Sequence, residues 1–539
     1  MRRKVQRFHD QECHRLLPAG HVSSVTHDPL PFGTQVIGDA NNRPLILAAT
    51  SFTGLGVLST DEYTGSPNKG ADGLDEEYYI NTANFYRQIR NIRIDIRNTN
   101  LIGKYSCLHY QVAQATSTQN VELIAGPEMK GMFAENGSGG GISDITFTGG
   151  AYGILGGNQQ FTAQRLTFNG CAVGVQVFWD WGWVWKSITM TNVGTGFKLT
   201  PEDGKAGNIG SASFIDSSFT NVGTAILTNP SVTSIDAGTT GLVLENVAFS
   251  GVRQGVITTF GESILDGGST KIDHWARGRV YKGTALDFSF GEKIGDYRRP
   301  RSLTNPKTGD YFERSRPQYT DRPLSNFIHV RDFSATGNGV TDDTTAFQSA
   351  LYSAQGKILF VDAGSYILTS TLKVPTGTKM AGETWSQLVA YGSYFQDANH
   401  PKVLVEVGEK GLIGNVELQD LIITTKGPTA GAVLIEWNMR ASAAGTAGMW
   451  DVHVRIGGAT GTSLTPDECP AITNGVNANC NAASLMMHIT PTGSGYFENM
   501  WLWLADHDIE YAVPFPSPHP DKHEREVLTQ LPWLTAIQS

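Results

Sequence analysis

Residues 142–171, "ISDITFTGGAYGILGGNQQFTAQRLTFNGC", contain two short apolar runs separated by glycine-rich segments. The runs are "ISDITFTGG", from Ile142, and "QRLTFNG", from Gln164. Short runs rich in β-branched and aromatic residues between glycines are typical of strands, and Gly and Asn suit bends at which φ is positive. The stretch therefore predicts two strands, each followed by a tight bend.

Similar runs recur through the first half of the chain. The apolar marks are separated by 27, 24, 21, 22, 26 and 30 residues, and they lie at Ile94, Val121, Ile145, Leu166, Ile188, Phe214 and Leu244. A repeat of about 20–30 residues without helical periodicity predicts a β-solenoid or a leucine-rich repeat. The mixture of Ile, Val, Phe and Leu at the marks favours a right-handed parallel β-helix, in which each repeat forms one coil.

A second series of strands begins after a segment rich in charge and proline. That segment interrupts the repeat and is interpreted as an interdomain linker. The predicted fold class is all-β, with two tandem right-handed parallel β-helices. The predicted divisions are an atypical N-terminal segment, the first β-helix, the linker, a second β-helix that is incomplete at its C-terminal end, and an atypical tail: residues 1–30, 31–295, 296–327, 328–510 and 511–539.

Residues 332–351, "DFSATGNGVTDDTTAFQSAL", predict a short helix that covers the open end of the second β-helix. Asp342 or Thr341 can cap this helix, and its apolar face consists of Ala346, Phe347, Ala350 and Leu351. The acidic pair Asp342 and Asp343 resembles a metal-ligand pair. We interpret it as a capping feature, because free backbone N–H groups lie at a helix N-terminus.

Composition excludes several classes of partner. The formal net charge is −10, and Lys and Arg form no sustained block beyond the start of the chain, which argues against a nucleic-acid groove. No run of 18 apolar residues occurs, so no membrane helix is predicted, and the first 25 residues lack the apolar core of a signal peptide. We expect no metal, no cofactor, no nucleic acid and no membrane.

Five cysteines leave at least one thiol unpaired. Cys469 and Cys480 enclose a loop rich in Asn and Gly that a disulfide would close, and Cys107 and Cys171 could be neighbours on adjacent coils. Buried free thiols are the alternative for each pair.

Over residues 31–510 the chain resembles the fungal exo-β-1,3-glucanases of glycoside hydrolase family 55, and residues 332–351 resemble the opening of a pectate-lyase-superfamily β-helix. The segments that carry the resemblance are "NTANFYRQIRNIRIDI", "HYQVAQATSTQNVEL", "ENGSGGGISDITFTGGAYGILGGNQQFTAQRLTFNGC", "WDWGWVWKSITMTN" and "FENMWLWLADHD". The resemblance implies an extracellular, inverting hydrolase that releases glucose from the non-reducing end of β-1,3-glucan. Such an enzyme needs an acid on one side of the sugar and a positioned water on the other.

Three polar residues match the positions that hold this water in the family. They are Gln88, Gln114 and Ser138, and their spacings of 26 and 24 residues, about one coil each, predict a single column. Amide and hydroxyl groups donate and accept, so such a trio can orient a water. A polar residue on a solvated face is the alternative for each. Asn136-Gly137-Ser138 is also a glycosylation sequon, and a glycan there would obstruct the site.

Aromatic residues provide the predicted sugar-binding surface. Trp179, Trp181, Trp183 and Trp185 alternate along one segment, and four such rings overfill a coil interior, so we expect a turn at Gly182 to separate the first two from the last two. Trp181 and Trp183 are the predicted sugar contacts on this segment, with buried packing as the alternative for each tryptophan. Trp503, Asp506 and His507 match a family segment near the pocket, and the alternative is that the last two only fix a loop.

The chain departs from the family at both ends. The segment with the family's general-acid Glu is missing after Ile509, and Glu498, Glu510 and Glu524 do not lie in its sequence context. The first 30 residues lack the cap that family members have. We therefore expect a chain that is incomplete at both ends, and general acid catalysis, worth about 10²–10⁴-fold, would be lost with its acid.

Three functions stay open. The first is a monomeric β-1,3-glucan hydrolase, active or inactive in this form. The second is a non-catalytic glucan-binding or wall-associated protein. The third is another β-helix enzyme, a polysaccharide lyase or polygalacturonase, which is disfavoured because the sequence shows neither a clustered acidic calcium site nor a basic cleft.

Overall fold

The computed structural model describes residues 14–17, 21–63, 77–79, 81–99, 105–201, 209–229, 240–295, 298–470 and 475–505. For residues 14–17, 21–27 and 282 it describes the backbone alone. Within these ranges the chain is almost entirely β-structure with one α-helix, which confirms the predicted all-β fold of two tandem parallel β-helices.

The first β-helix is a 19-stranded sheet within the described residues. Strands β1 to β17 are stacked in parallel, and β18 and β19 are antiparallel additions that cover the edge of β17. The strands are β1 (His14–Leu17), β2 (His21–Pro29), β3 (Gln35–Gly38), β4 (Leu45–Ser59), β5 (Gln88–Arg90), β6 (Arg93–Asp95), β7 (Ser106–His109), β8 (Ser117–Ala125), β9 (Lys130–Ala134), β10 (Gly141–Gly149), β11 (Tyr152–Asn169), β12 (Val173–Lys186), β13 (Thr189–Thr191), β14 (Thr195–Leu199), β15 (Ser211–Thr220), β16 (Thr224–Thr228), β17 (Gly241–Thr258), β18 (Ser263–Lys282) and β19 (Ala285–Lys293).

The second β-helix has faces of nine, four and two strands within the described residues. Its elements are β20 (Phe327–His329), β21 (Asn338–Asp342), α1 (Thr344–Ser353), β22 (Ile358–Phe360), β23 (Gly364–Leu368), β24 (Leu372–Val374), β25 (Lys379–Ala390), β26 (Lys402–Val407), β27 (Ile413–Gly414), β28 (Val416–Thr425), β29 (Ala432–Trp437), β30 (Arg440–Ala441), β31 (Ala447–Ile456), β32 (Leu485–Ile489), β33 (Tyr496–Glu498) and β34 (Trp501–Leu504). Short 3₁₀ turns occur at Asn81–Ala83, Arg301–Leu303, Leu324–Asn326, Val330–Phe333, Ser393–Phe395 and Ala478–Cys480.

The predicted apolar marks stack inside the first β-helix. Val121, Ile145 and Leu166 are in register on adjacent strands, whereas Ile94 pairs with Leu123, two residues beyond its expected partner. One bend of each coil has positive φ, and the residues there are Asn91, Asn120, Asp144, Arg165, Ser187, Asp216 and Asn246. Asn and Asp tolerate this conformation better than other side chains, which explains their recurrence at the bends.

The described parts of the N-terminal segment and of the linker are both joined to the β-helices. Strands β1 and β2 lie in the segment predicted to be atypical and pair in parallel with β3 and β4. In the linker, Glu313 accepts a hydrogen bond from Nζ of Lys186 at 2.7 Å, and Arg316 donates to Asp451 at 3.0 Å. The linker therefore binds both β-helices, and the predicted tail, residues 511–539, lies outside the described residues.

Helix α1 covers the start of the second β-helix, with Phe347, Ala350 and Leu351 buried. The N-cap position is Asp343, one residue after the predicted Asp342, and its side chain makes no capping hydrogen bond. The carboxylate of Asp342 nevertheless accepts the backbone N–H of Thr344, the first residue of the helix, at 3.0 Å. Asp343 is buried and instead accepts the N–H groups of Thr336 and Gly337, at 2.7 and 3.0 Å. Among the described residues, no group of three or more His, Cys, Asp and Glu could hold a metal ion.

The predicted disulfide between Cys469 and Cys480 is present. Cys107 and Cys171, which could have been bonded neighbours, are buried free thiols. Burial raises the pKa of Cys171 to about 12, so this thiol is neutral at physiological pH. In the described ranges, no helix has the length and apolar character needed to cross a membrane.

Candidate functional site

The two β-helices meet along an aromatic cluster. We use this name for Phe85 and Tyr86 of the first β-helix and Trp385, Trp501 and Trp503 of the second. Trp501 and Trp503 stack with ring centroids 4.2 Å apart, and Phe85 lies 5.0 Å from Trp501 and 5.3 Å from Trp503. Both tryptophans are half-buried, so the cluster joins the β-helices and still presents aromatic surface.

Gln114 and Ser138 form a hydrogen-bonded pair beside this cluster. The hydroxyl of Ser138 donates to Oε1 of Gln114 at 2.8 Å, with the carbonyl of Thr82 at 3.2 Å as a second acceptor. Gln114 is half-buried, and Ala113 and Ala115 on either side of it pack into the aromatic cluster. The structure thus brings together two of the three predicted water-positioning residues and leaves the amide of Gln114 partly accessible.

Gln88, the third predicted residue, does not share their column. In the ladder it pairs with Ser117, three residues beyond Gln114. It is fully buried, and its amide makes three hydrogen bonds: Nε2 donates to Asp420 at 3.0 Å, and Oε1 accepts from Arg90 and from Nε2 of Gln35. The structure therefore places Gln88 inside the interface between the β-helices, away from any accessible water.

In the segment that contains Trp179, Trp181, Trp183 and Trp185, the side chains switch between the inner and outer faces of the β-helix without a turn. Strand β12 continues through Gly182, contrary to the predicted turn, and the inward and outward positions exchange within it. Trp179 is half-buried and Trp181 is 65% exposed, whereas Trp183 and Trp185 are buried. Trp183 stacks on Trp185 at 5.1 Å and donates its indole N–H to the carbonyl of Asn158 at 3.0 Å. Its ring has no free face, so the predicted sugar contact at Trp183 is replaced by a core position, and Trp181 remains available.

A cleft of about 560 Å³ lies between the β-helices on the side of Trp385. We call it the cationic cleft because Arg331, Lys426 and Arg455 contribute to its lining and no Asp or Glu does. Phe32 and Trp385 supply its aromatic surface. Arg455 also lies 5.2 Å above the ring of Trp503, so the cleft continues into the aromatic cluster.

The sequence interpretation missed this cleft and expected no basic cleft. One signal was present: along β25 the residues alternate between buried and half-buried, and Trp385 occupies a half-buried, outward position. A tryptophan that breaks the polar face of an alternating strand indicates a contact surface.

Two described acids near this region, Glu498 and Glu135, are already paired. Glu498, considered as a substitute general acid, accepts from Arg165 at 2.9 Å, and burial raises its pKa. Glu135 is 2.8 Å from Nε2 of the buried His109. Burial also lowers the pKa of His453, beneath the aromatic cluster, to about 4, so its imidazole is neutral at pH 7. Asp506, His507, Glu510 and Glu524 lie outside the described residues.

The chain is similar to a family model and to several named proteins. A family model described as "Rhamnogalacturonase A/epimerase, pectate lyase-like" matches residues 17–198 and 327–455. The chain is 38% identical over 489 residues to a glucan 1,3-beta-glucosidase of Cochliobolus carbonum, covering 89% of this chain and 60% of that protein. It is 33% identical over 583 residues to a probable glucan endo-1,3-beta-glucosidase of Arthroderma benhamiae, covering 89% and 65%.

A third relative carries a different name. The chain is 40% identical over 480 residues to the non-secreted LysM effector LysM19 of Penicillium expansum, covering 86% of this chain and 37% of that protein. The chain therefore spans between about a third and two thirds of the length of these three relatives.

Proposed function

Because this chain belongs to the pectate-lyase-like family described as rhamnogalacturonase A/epimerase, with relatives named as β-1,3-glucan hydrolases, we propose that it binds β-1,3-glucan between its two β-helices. The observation that carries the proposal is the Gln114–Ser138 pair beside the aromatic cluster. Sugar rings stack on aromatic faces, and an amide beside a hydroxyl can both donate to and accept from a water or a sugar hydroxyl.

We further propose that this pair orients the attacking water of an inverting, exo-acting hydrolysis. The amide of Gln114 and the hydroxyl of Ser138 fix the direction of a water lone pair without carrying charge, which suits the side of the sugar opposite the acid. Glu498, bound to Arg165, is not free to protonate a leaving oxygen. We propose that this chain binds glucan more readily than it cleaves it, because Glu498, the described candidate for the acid, is held by Arg165.

The test is to incubate the purified 539-residue chain with laminarin. Binding is followed by calorimetry and glucose release by NMR, which distinguishes the α- from the β-anomer. We expect binding with slow or no release, and any glucose should appear first as the α-anomer. Trp181→Ala should weaken binding if glucan extends over that exposed ring, and Phe260→Ala, an exposed aromatic near the end of β17, is the matched control. Absence of laminarin binding would overturn the proposal.

One observation favours a second candidate, recognition of an acidic saccharide. Three cations and no carboxylate among the lining residues give the cationic cleft a charge that suits uronate groups better than neutral glucose. Polygalacturonate in place of laminarin tests this candidate. Binding that weakens with salt and with Lys426→Gln would support it, and laminarin binding that is indifferent to both would support the first.

A further inference from the structure

The side chain of Asn158, on β11, holds the backbone that presents Ser138. Its Nδ2 donates to the carbonyl of Val112 at 3.3 Å and to the carbonyl of Asn136 at 3.2 Å. The N–H of Ser138 also binds the carbonyl of Val112, at 3.2 Å. Asn158 is fully buried, so this single amide joins the bend before Gln114 to the turn at residues 136–138.

The fit around this amide is close. Gly137 has φ +135°, and a Cβ added to it would lie 1.9 Å from the carbonyl oxygen of Val112 and 2.5 Å from Nδ2 of Asn158. No side chain fits there without moving the turn. The position of Ser138 therefore depends on the orientation of the Asn158 amide.

The side-chain oxygen of Asn158, Oδ1, lies on the same face of the sheet as the carboxylate of Asp180. On the next coil Asp180 is the register partner of Asn158, and side chains in register on parallel strands lie on the same face. Asp180 is 3% exposed, and its Oδ1 accepts the N–H of Gly210 at 2.7 Å. Oδ2 of Asp180 and Oδ1 of Asn158 are both buried, and neither has a hydrogen-bond partner among the described residues. A buried acceptor without a donor is costly, and a proton on Oδ2 of Asp180 would supply a donor for Oδ1 of Asn158.

We propose that Asp180 is protonated in the folded protein and donates its Oδ2–H to Oδ1 of Asn158, which fixes the amide that positions the Gln114–Ser138 pair. Asp180 and Asn158 are positioning residues, and neither contacts the ligand. The hydrogen bond is independent of the ligand, whereas its effect on binding rests on the proposed function.

The surroundings of Asp180 favour the neutral acid. Burial raises the pKa of Asp180 to about 7, against the lowering effect of the N–H groups of Gly210 and Ser211, and no charged side chain of the described residues contributes to it. On the coils before Asn158, the carboxylate of Glu135 lies 2.8 Å from Nε2 of His109.

The sign of the pH dependence follows. Between about pH 4, the ordinary pKa of an aspartate, and pH 7, the folded state holds a proton that the unfolded state has lost. The stability contributed by this acid is therefore full below about pH 4 and declines as pH rises through 7. Binding should decline above pH 7, when Asn158 Oδ1 faces an ionised carboxylate.

The first experiment compares thermal midpoints of the wild type and Asp180→Asn between pH 5 and 8. The asparagine can accept from Gly210 and donate to Asn158 at every pH. We expect the midpoint of the wild type to fall relative to that of D180N as pH rises, by the equivalent of about one proton. At pH 6 the protonated-carboxyl infrared band should be stronger in the wild type than in D180N by about one carboxyl, because burial also raises the pKa of Glu498 and that of Asp61, the latter to about 6, in both proteins. Parallel midpoints together with equal infrared bands would overturn the proposal.

The second experiment measures laminarin binding across the same pH range. D180N should match the wild type at pH 6 and keep its affinity at pH 8, where the wild type loses affinity several-fold. Asp180→Leu, which cannot donate, should bind at least tenfold more weakly at pH 6. Asn221→Ala, which removes a similar coil-to-coil amide bond to Asn192, is the control and should not change binding.

The experiments distinguish a failure of the proposed function from a failure of the proposed Asp180–Asn158 hydrogen bond. If the wild type does not bind laminarin, the proposed function fails, and the midpoints and the infrared band still decide the Asp180–Asn158 bond. If D180L does not fold, the comparison between D180N and the wild type at pH 6 and 8 stands alone, and equal pH profiles of binding in these two proteins would refute the positioning role.

Discussion

Gln88 and Gln114 have the same side chain and lie on successive coils of the first β-helix, yet their surroundings differ. Gln88 is fully buried and its amide is used by Asp420 and Arg90, which connect the two β-helices. Gln114 is half-buried and bonds only Ser138 in the described contacts of its side chain. An amide whose donors and acceptors are satisfied by protein holds structure, whereas one that keeps free capacity can hold a ligand or a water.

Gln88 lies beside a buried ion-pair group that consists of Arg90, Arg316, Asp420 and Asp451. Arg90 donates to Asp420 at 3.1 Å, Arg316 of the linker contacts Asp420 and Asp451, and all four charged groups are buried. Two positive and two negative charges balance. Buried ion pairs of this kind contribute little net stability compared with apolar packing, but they specify one arrangement because any other arrangement leaves a charge unpaired. We infer that this group sets the relative position of the two β-helices.

The largest expected effect comes from breaking that group. Arg316→Leu leaves the buried carboxylates of Asp420 and Asp451 short of a partner, which should lower the free energy of unfolding by about 3–5 kcal/mol. Urea unfolding measures this. Arg322→Leu is the control on the same linker, because Arg322 is exposed and its ion pair among the described residues is with exposed Asp321, an interaction worth about 1 kcal/mol or less. Equal losses in the two variants would show that the group does not join the β-helices.

The coil repeat could be predicted because its causes are local. Each coil needs apolar residues inside and a bend that tolerates positive φ, so Ile145 and Leu166 recur with Asp144 and Arg165 immediately before them. The hydrogen bond from Thr344 to Asp342 at the start of the helix and the disulfide of Cys469 are local in the same sense. Features determined within about ten residues could be predicted from the sequence alone.

The site could be predicted only in part. A spacing of 26 residues between Gln88 and Gln114 equals one coil on average, but the lengths of individual coils vary by several residues. Gln88 pairs with Ser117, three residues beyond Gln114, and this offset places the side chain of Gln88 in the interface between the β-helices and that of Gln114 at a partly accessible position. Trp181 and Trp183 were equivalent by alternation until β12 exchanged its faces between them. The cationic cleft combines residues from distant coils, and only the packing of one β-helix on the other brings them together.

A smaller effect is expected at Gln88. Gln88→Leu removes the donor to Asp420 and the acceptor for Arg90 and Gln35, and leaving such buried groups unsatisfied costs about 1–3 kcal/mol. Laminarin affinity per folded molecule should be unchanged, because the side chain has no exposure. Urea unfolding and calorimetry measure the two quantities. A tenfold loss of affinity without loss of stability would restore Gln88 to the binding site.

The smallest effect on stability and the largest on binding are expected at Gln114. Gln114→Ala removes one partly accessible hydrogen bond, from the hydroxyl of Ser138, which retains the carbonyl of Thr82 as an acceptor. The free energy of unfolding should therefore change by about 1 kcal/mol or less. Laminarin affinity should fall about tenfold, which corresponds to about 1.4 kcal/mol of binding free energy. Gln119→Ala, which truncates a buried amide of β8 from the same helix, serves as a control that loses stability without specific loss of affinity. If Gln114→Ala instead loses stability as Gln88→Leu does and keeps its affinity, the two glutamines are alike, and burial does not separate binding from structure in this protein.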